Sequence, residues 1–233
     1  MEITKGFQIT EPELFIPWGI TEEELRSLFP SGQLREVTNG YITTSCVSFR
    51  NLKHELGFHF NPRKNGRLGL LEFFRKDYKN LDKSFRDFQQ QFVGEFGLPH
   101  ATTKGTDGYT IHRWQFDHIQ IEHTIIDRFG PEEHMRISNL VYRMDPKVLF
   151  KNYFVFELTE DLKEVIPLEE LGTDDSGWRQ YYKNSAGNWI KFFPFSEYHG
   201  GGQAYLILLG NEDPLKWVES NKEFENETRS LLL

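Results

Sequence analysis

The chain has 233 residues, 21 of them Phe, with aromatic residues at 15%. That is long for one compact core and comfortable for two small modules. It carries one cysteine, Cys46, which excludes an internal disulfide, and no uninterrupted apolar run long enough for a transmembrane helix. The opening "MEITKGFQITEPELFIPWG" has neither the basic nor the apolar region of a secretory signal, so a cytoplasmic protein is predicted.

The net charge of −8 is uneven. Residues 1–150 hold 19 basic against 20 acidic residues, and residues 151–233 hold 8 against 15. An acidic C-terminal third argues against nucleic-acid binding there, because phosphate contacts need Lys and Arg. It suits a basic protein partner, or a solvated surface that keeps the chain soluble.

In chain order, "WGITEEELRSLFP" predicts a short helix, with Thr21 and Glu24 forming a capping box and Pro30 beyond its end. Three β-like runs follow, "YITTSCVSF", "HELGFHF" and "RLGLLEFF", joined by connectors rich in Asn, Pro and Gly. They read as an antiparallel meander. "NLDKSFRDFQQQFVGEFGLP" predicts the main helix: Phe85, Phe88, Phe92 and Phe96 recur at helical spacing, Gly97 caps its end and Pro99 stops it. This helix is expected to cover the sheet.

"YTIHRWQF" and "HIQIEHTII" are separated only by Asp117, and form one bent strand or a very tight pair. In the second, Ile119, Ile121 and Ile125 share one face. "MRISNLVYRM" predicts a further strand. A boundary is expected near "DPKVLFKN", dividing the chain into modules 1–148 and 149–233. The second module reads as the strands "YFVFEL", "KEVIPLEEL", "WRQYYKN", "NWIKFFPF" and "QAYLILLG". One final helix follows, "DPLKWVESNKEFENETRS", capped by Asp213 with Pro214 in its first turn. The predicted class is α+β: two antiparallel modules, the first covered by a Phe-striped helix and the second with a C-terminal helix.

Candidate chemistry is sparse. His118 and His123, five apart on a strand, point to opposite faces, as do His54 and His59. His123, Asp127, Glu133 and His134 sit in sequence where a turn can bring them together, but without a helical His-Glu-x-x-His spacing or a cysteine pair. Cys46 lies in a predicted core strand and no Gly-x-Ser-x-Gly elbow is present.

The triplet Gly200-Gly201-Gly202 is followed by Gln203-Ala204-Tyr205 and a β-like run. It lacks the Lys of a phosphate loop and the helix that a dinucleotide fingerprint opens into. A bend that sets Glu197 and His199 at a sheet edge remains. Trp178, Tyr181, Tyr182, Trp189 and Tyr198 make this region aromatic as well as acidic, a combination found on protein-binding surfaces and in cores alike.

The stretch "SGWRQYYKNSAGNWIKFFPFSEYHGGGQAYLILL" resembles a class of small bacterial immunity proteins from polymorphic toxin systems. The matching positions are Gly177, Trp178, Tyr181, Gly187, Trp189, Ser196, Glu197, His199, Gly200, Gly201 and Gly202, within about residues 162–221. Gln203-Ala204 stands where that family tends to have prolines. The N-terminal "FIPWGITEEELRSLF" with the following meander and helix is similar to small bacterial α+β binding modules that begin with a Pro-Trp-Gly helix. Some of these have a sheet-and-helix form like that of β-lactamase inhibitor proteins.

The resemblance implies an intracellular inhibitor without catalytic residues, metal or cofactor, binding a cognate toxin by occlusion. The toxin would be, for example, a nuclease with a basic cleft, and neither nucleic acid nor membrane is expected as a partner. The contact residues it suggests are Asp174, Asp175, Trp178, Tyr181, Glu197, Tyr198 and His199. Gly177, Gly187, Trp189 and Gly200 to Gly202 are expected to shape the scaffold. Two other readings stay open: a metal-dependent hydrolase using His123, Asp127, His134 or His199, and a ligand- or peptide-binding module unrelated to toxins.

Overall fold

The computed structural model describes residues 2–49, 51–60, 66–75, 80–127, 130–184, 186–196 and 202–233. The chain is α+β and divides into two compact units, Met1–Arg143 and Met144–Leu233. Among the described residues no helix is long and apolar enough to cross a membrane.

The first unit opens with an antiparallel pair, β1 (Gly6–Ile9) and β2 (Leu14–Pro17), then α1 (Glu22–Leu28). Thr21 caps α1 and Glu24 completes the capping box, as its Thr-x-x-Glu pattern predicts. An eight-stranded antiparallel sheet follows. Its strands are β3 (Arg35–Thr38), β4 (Tyr41–Ser48), β5 (Leu52–Phe60), β6 (Leu68–Phe74), β7 (Ala101–Lys104), β8 (Thr110–Phe116), β9 (Ile119–Asp127) and β10 (Pro131–Asn139). Their order is β3-β4-β5-β6-β10-β9-β8-β7. β8 and β9 form a tight pair rather than one bent strand, with Asp117 in the turn at φ 49°.

The main helix, α2 (Leu81–Phe96), lies between β6 and β7 in sequence and packs on the β10 side of the sheet. Asn80 caps its start, Gly97 ends it at φ 81°, and the Trp114 indole N–H donates to the Gly97 carbonyl at 2.9 Å. Phe88 and Phe92 are fully buried, whereas Phe85 and Phe96 sit half-buried at the rim. Phe92 meets Phe49, Phe73 and Trp114 edge-on, with ring centroids 5.2 to 5.9 Å apart. The same sheet face receives Phe7 and Ile16 from the first pair and Leu25 from α1, so all these elements share one core.

Two departures from the predicted elements have local causes. The strand expected over 135–144 ends at Asn139, because the Asn139 side-chain oxygen accepts from the N–H groups of Val141 and Tyr142. That cap starts a helical turn, α3 (Leu140–Arg143). The edge strands β3 and β7 and the pair β1–β2 were not expected. β3 and β7 are exposed at every position and lack the apolar alternation that marks a strand.

The second unit holds a six-stranded antiparallel sheet. It is built from β11 (Val148–Phe150), β12 (Tyr153–Glu157), β13 (Glu169–Thr173), β14 (Gln180–Asn184), β15 (Gly187–Phe192) and β16 (Tyr205–Gly210). The order is β11-β12-β16-β15-β14-β13. The strand expected over 163–171 is half helix: Thr159 caps α4 (Glu160–Val165), and β13 starts only after Pro167.

The single final helix is also corrected. It is two helices, α5 (Pro214–Ser220) and α6 (Phe224–Leu232). Asn221 turns its amide onto the Trp217 carbonyl at 2.9 Å and ends the first. In an unbroken helix Trp217 and Phe224 would stand two turns, about 10 Å, apart along the axis. The break folds α6 back so that the two rings meet at 5.0 Å over Phe150 and Phe192.

Three histidines lie in the first core. His54 donates from Nδ1 to the Glu55 carbonyl at 2.9 Å and accepts the Ser48 hydroxyl at Nε2. His118 occupies the β8–β9 turn. His123 stacks on Phe85 at 4.0 Å and contacts the buried Glu133 carboxylate at 2.9 Å. Burial drives the pKa of His54 and His118 down to about 4, so both are neutral at pH 7.

Two outcomes are expected. Phe92→Ala, which empties the centre of the aromatic cluster, lowers stability by about 3–5 kcal/mol in urea unfolding. The folded pKa of His54 and His118 lies below the unfolded value of 6.5, so the unfolded chain binds more protons between the two. Stability is therefore complete above about pH 6.5 and falls as pH drops toward about 4. Imidazole resonances that titrate near 6.5 with no loss of stability would contradict this.

Candidate functional site

The acidic, aromatic part of the second unit centres on the β13–β14 hairpin. Its loop is closed by the Asp174 N–H donating to the Arg179 carbonyl at 3.0 Å and the Gly177 N–H donating to the Asp174 carbonyl at 3.0 Å. Gly177 takes φ 73°, a conformation that favours glycine. The Asp174 carboxylate braces the loop from within, accepting the Ser176 hydroxyl at 2.8 Å and the Arg179 N–H at 3.1 Å. Partial burial works to raise the Asp174 pKa, but these bonds outweigh it and hold the carboxyl below its usual range.

The base of the hairpin is pinned to α6. Arg179 donates from Nε to Glu225 at 2.7 Å and lies over the Phe224 ring at 5.6 Å. That bond raises the Arg179 pKa. On this braced loop Trp178 is 47% exposed and meets Phe193 edge-on at 5.6 Å. Lys191 stands over the same Phe193 ring at 5.2 Å. Beside the loop, edge strand β13 exposes Glu169, Glu170 and Leu171, and Asp175 is exposed at the loop's tip.

The predicted contact residues therefore separate. Asp174, Asp175 and Trp178 share one short loop, but only Asp175 and Trp178 present their side chains outward. Asp174 spends its oxygens inside the loop. Tyr181 is 8% exposed and packs in the core with Ile190 and Phe192, which places it as a scaffold residue rather than a contact. Glu197, Tyr198, His199, Gly200 and Gly201 lie outside the described residues.

The remaining scaffold residues have definite places. Gly187 takes φ 131°, and a Cβ there would stand 2.3 Å from the Gly210 carbonyl oxygen. Trp189 is fully buried and donates its indole N–H to Asn184 at 2.9 Å. Gly202 takes φ 67° beside Phe195. Phe193, Leu171 and the Arg179–Glu225 pair were not anticipated. Phe193 in "FFPF" carries no signal to separate it from its buried neighbour Phe192.

The histidine set does not assemble. His123 and Glu133 pair on the helix-covered face of the sheet. His134 stands opposite Thr124, on the other face, and Asp127 is exposed at the end of β9. His199 lies outside the described residues. Among the described residues no group of three His, Cys, Asp or Glu is placed to hold a metal ion. Cys46 is buried, and burial pushes its thiol up to about 12, which leaves it protonated and unreactive at neutral pH.

The first unit offers a second surface. On the face of its sheet opposite α2, strand register lines up Glu72, Arg136, Glu122 and Arg113 on four adjacent strands. Arg136 donates to Glu72 at 2.9 Å and Arg113 to Glu122 at 2.8 Å. Burial opposes ionisation of Glu72, yet the bonds from His59 and Arg136 prevail and bring its pKa to about 2. Next along the row Gly57 leaves room for the Tyr41 ring, which stacks on His59 at 4.2 Å. Burial, followed by the Glu72 charge, pushes the Tyr41 phenol up to about 12.

No protein-family model, no curated protein and no solved structure matches the chain.

Proposed function

We propose that the chain is a binding protein of the immunity type, which neutralises a cognate bacterial toxin domain by occluding its active surface inside the cell. The observation that carries this reading is Trp178. It is a large aromatic residue exposed on a loop that Asp174 and the Arg179–Glu225 pair hold in one shape, among carboxylates at 169, 170 and 175.

Trp is the residue type most often found at the energetic centre of protein interfaces. A braced loop loses little conformational freedom on binding, so more of the contact energy appears as affinity. The surrounding carboxylates favour a basic partner surface and speed its approach at low salt. A toxin whose cleft handles phosphodiesters has that basic character.

The chemistry of the alternatives fits less well. The buried imidazoles of His54 and His123 and the thiol of Cys46 are consumed in the core of the first unit: His54 by Ser48, His123 by Glu133, and Cys46 by burial. A metal-dependent hydrolase built on His123, Asp127 and His134 would need those side chains on one face of the sheet.

The test is co-expression with the toxin encoded beside its gene, followed by affinity measurement. Wild-type protein is expected to restore growth. Trp178→Ala is expected to weaken toxin binding by about 10- to 100-fold, and Asp175→Lys to slow association and reduce its salt dependence. Asp174→Ala should act through the loop, weakening binding without changing the salt dependence of association. Full rescue by Trp178→Ala with unchanged affinity would remove the hairpin from the interface. No neighbouring toxin in any related genome would remove the immunity role itself.

A further inference from the structure

We propose that the sheet face of the first unit opposite α2 is a self-complementary docking surface for a second copy of the same chain. The observation behind it is a pattern of sign. On the adjacent strands β6, β10, β9 and β8 the register sets Glu72, Arg136, Glu122 and Arg113 side by side in one row. The charges therefore alternate across the sheet: negative, positive, negative, positive. In that order their side chains are 21%, 38%, 31% and 42% exposed, so all four reach solvent.

An alternating row with an even number of charges is complementary to itself when its order is reversed. A two-fold axis in the plane of contact, parallel to the strands and passing between β10 and β9, makes that reversal. Glu72 then faces the partner's Arg113, and Arg136 faces the partner's Glu122. A two-fold axis running across the strands instead sets like charge on like. Moving the first axis sideways by one strand leaves half of the row without an opposite charge. One arrangement is thus favoured and its neighbours are penalised, as expected of an isologous interface.

The surroundings of the row agree with this alignment. On β5 and β7 the row continues with Gly57 and Ala101, which the same axis brings together. The Tyr41 ring lies over Gly57, and a methyl group opposite leaves it room. One pleat to one side stand Phe74, His134, Thr124 and Ile111, on the same four strands. The axis sets Phe74 on the partner's Ile111 and His134 on the partner's Thr124. Burial lowers the pKa of His134, which keeps this flanking row uncharged at neutral pH. One pleat to the other side, Ser138 faces the partner's Gln120.

The ion pairs within each chain leave capacity for a second contact. Among the described residues Arg113 donates to Glu122 through Nε, at 2.8 Å, and Glu122 accepts at Oε2. The terminal nitrogens of Arg113 and Oε1 of Glu122 remain for the partner. Each in-chain pair then becomes part of a network across the interface, the setting in which partly exposed ion pairs contribute most. Six strands about 4.8 Å apart, over about five residues each, give a footprint on the order of 500 Å² per copy. That is below the roughly 800 Å² per partner of a standard stable interface, so the dimer is weak and depends on concentration.

Sedimentation velocity of the full chain between about 10 μM and about 1 mM, the affinity range of weak interfaces, is the direct test. A monomer–dimer equilibrium is expected. It should weaken at about 1 M salt, where the screening length falls to about 3 Å. Two double variants then address the row: Glu122→Arg with Arg113→Glu, and Glu72→Arg with Arg136→Glu. Each keeps opposite charges paired within the chain but sets like on like across the two-fold axis. Each alone should dimerise at least about tenfold more weakly than wild type. Mixed in equal amounts, the two present opposite charges at every position of the row, and a heterodimer is expected. Circular dichroism and unfolding midpoints establish that each variant is folded. The Glu122–Arg113 variant, on the more exposed pair, decides the matter by itself if the other does not fold.

Wild-type protein that stays monomeric over the whole range would overturn the docking surface. So would wild-type dimerisation in the folded Glu122–Arg113 variant, a dimer indifferent to salt, or the absence of a heterodimer when two folded variants are mixed. Toxin binding is read on Trp178 of the second unit, so the failure of either reading is seen separately from the other.

Discussion

The strand register of the eight-stranded sheet decides what each face of the first unit becomes. Because side chains alternate, one register places Leu56, Phe58, Leu71, Phe73, Ile121 and Ile137 on the side that α2 and α1 cover. The same register strings Arg35, Thr43, Gly57, Glu72, Arg136, Glu122, Arg113 and Ala101 along a single row across all eight strands. A slip of one residue in β6, β10, β9 or β8 would set a charge from that row into the phenylalanine cluster and break its ion pairs together. Apolar burial and cross-strand charge pairing therefore select the same alignment. Agreement of that kind at several levels is what specifies one fold.

Much of this was legible because its signals are local. The Thr21–Glu24 capping box, the Phe spacing of α2 and the alternation in β4 to β6 and β9 depend on neighbours a few residues away. The elements that escaped depend on one polar side chain or on a distant partner. Asn139 converts the end of an apparent strand into α3, and Thr159 does the same for α4 within a β-like run. Asn221 divides a segment whose composition is helical throughout. β3 and β7 are strands only because β4 and β8 offer them hydrogen-bonding edges, so their own residues carry no pattern.

The candidate site was legible in position but not in role. Acidic and aromatic residues near 174–182 marked the region, and the structure gathers Asp174 to Trp178 in one loop. Sequence could not distinguish a carboxylate that braces a turn from one that faces outward, since Asp174 and Asp175 are adjacent and chemically identical. Alternation along β14 sends Tyr181 into the core with Ile190 and leaves its neighbours on the other side. The long-range Arg179–Glu225 pair, 46 residues apart, has no sequence signal at all.

Charge is handled differently in the two units, and that difference bears on how a partner would be met. The first unit sets most of its sheet charges against one another: Glu72 with Arg136 and His59, Glu122 with Arg113. Fixed pairs of opposite sign cancel within a few ångströms, so that face projects little field beyond the Debye length of about 8 Å at physiological salt. The acidic excess of the second unit is not cancelled in this way. Around the hairpin Arg179 is bound to Glu225 and Asp174 is turned inward, while Glu169, Glu170 and Asp175 stay exposed, with Lys183 opposite Glu169 and Lys191 over Phe193 as the nearby cations. On the proposed immunity reading, long-range attraction of a basic partner would act on the second unit, while short-range affinity would fall to Trp178 and Phe193, whose contacts salt does not screen. Steering and grip would then reside in different residues of one region, so ionic strength would act on the rate of encounter and aromatic truncation on the lifetime of the complex.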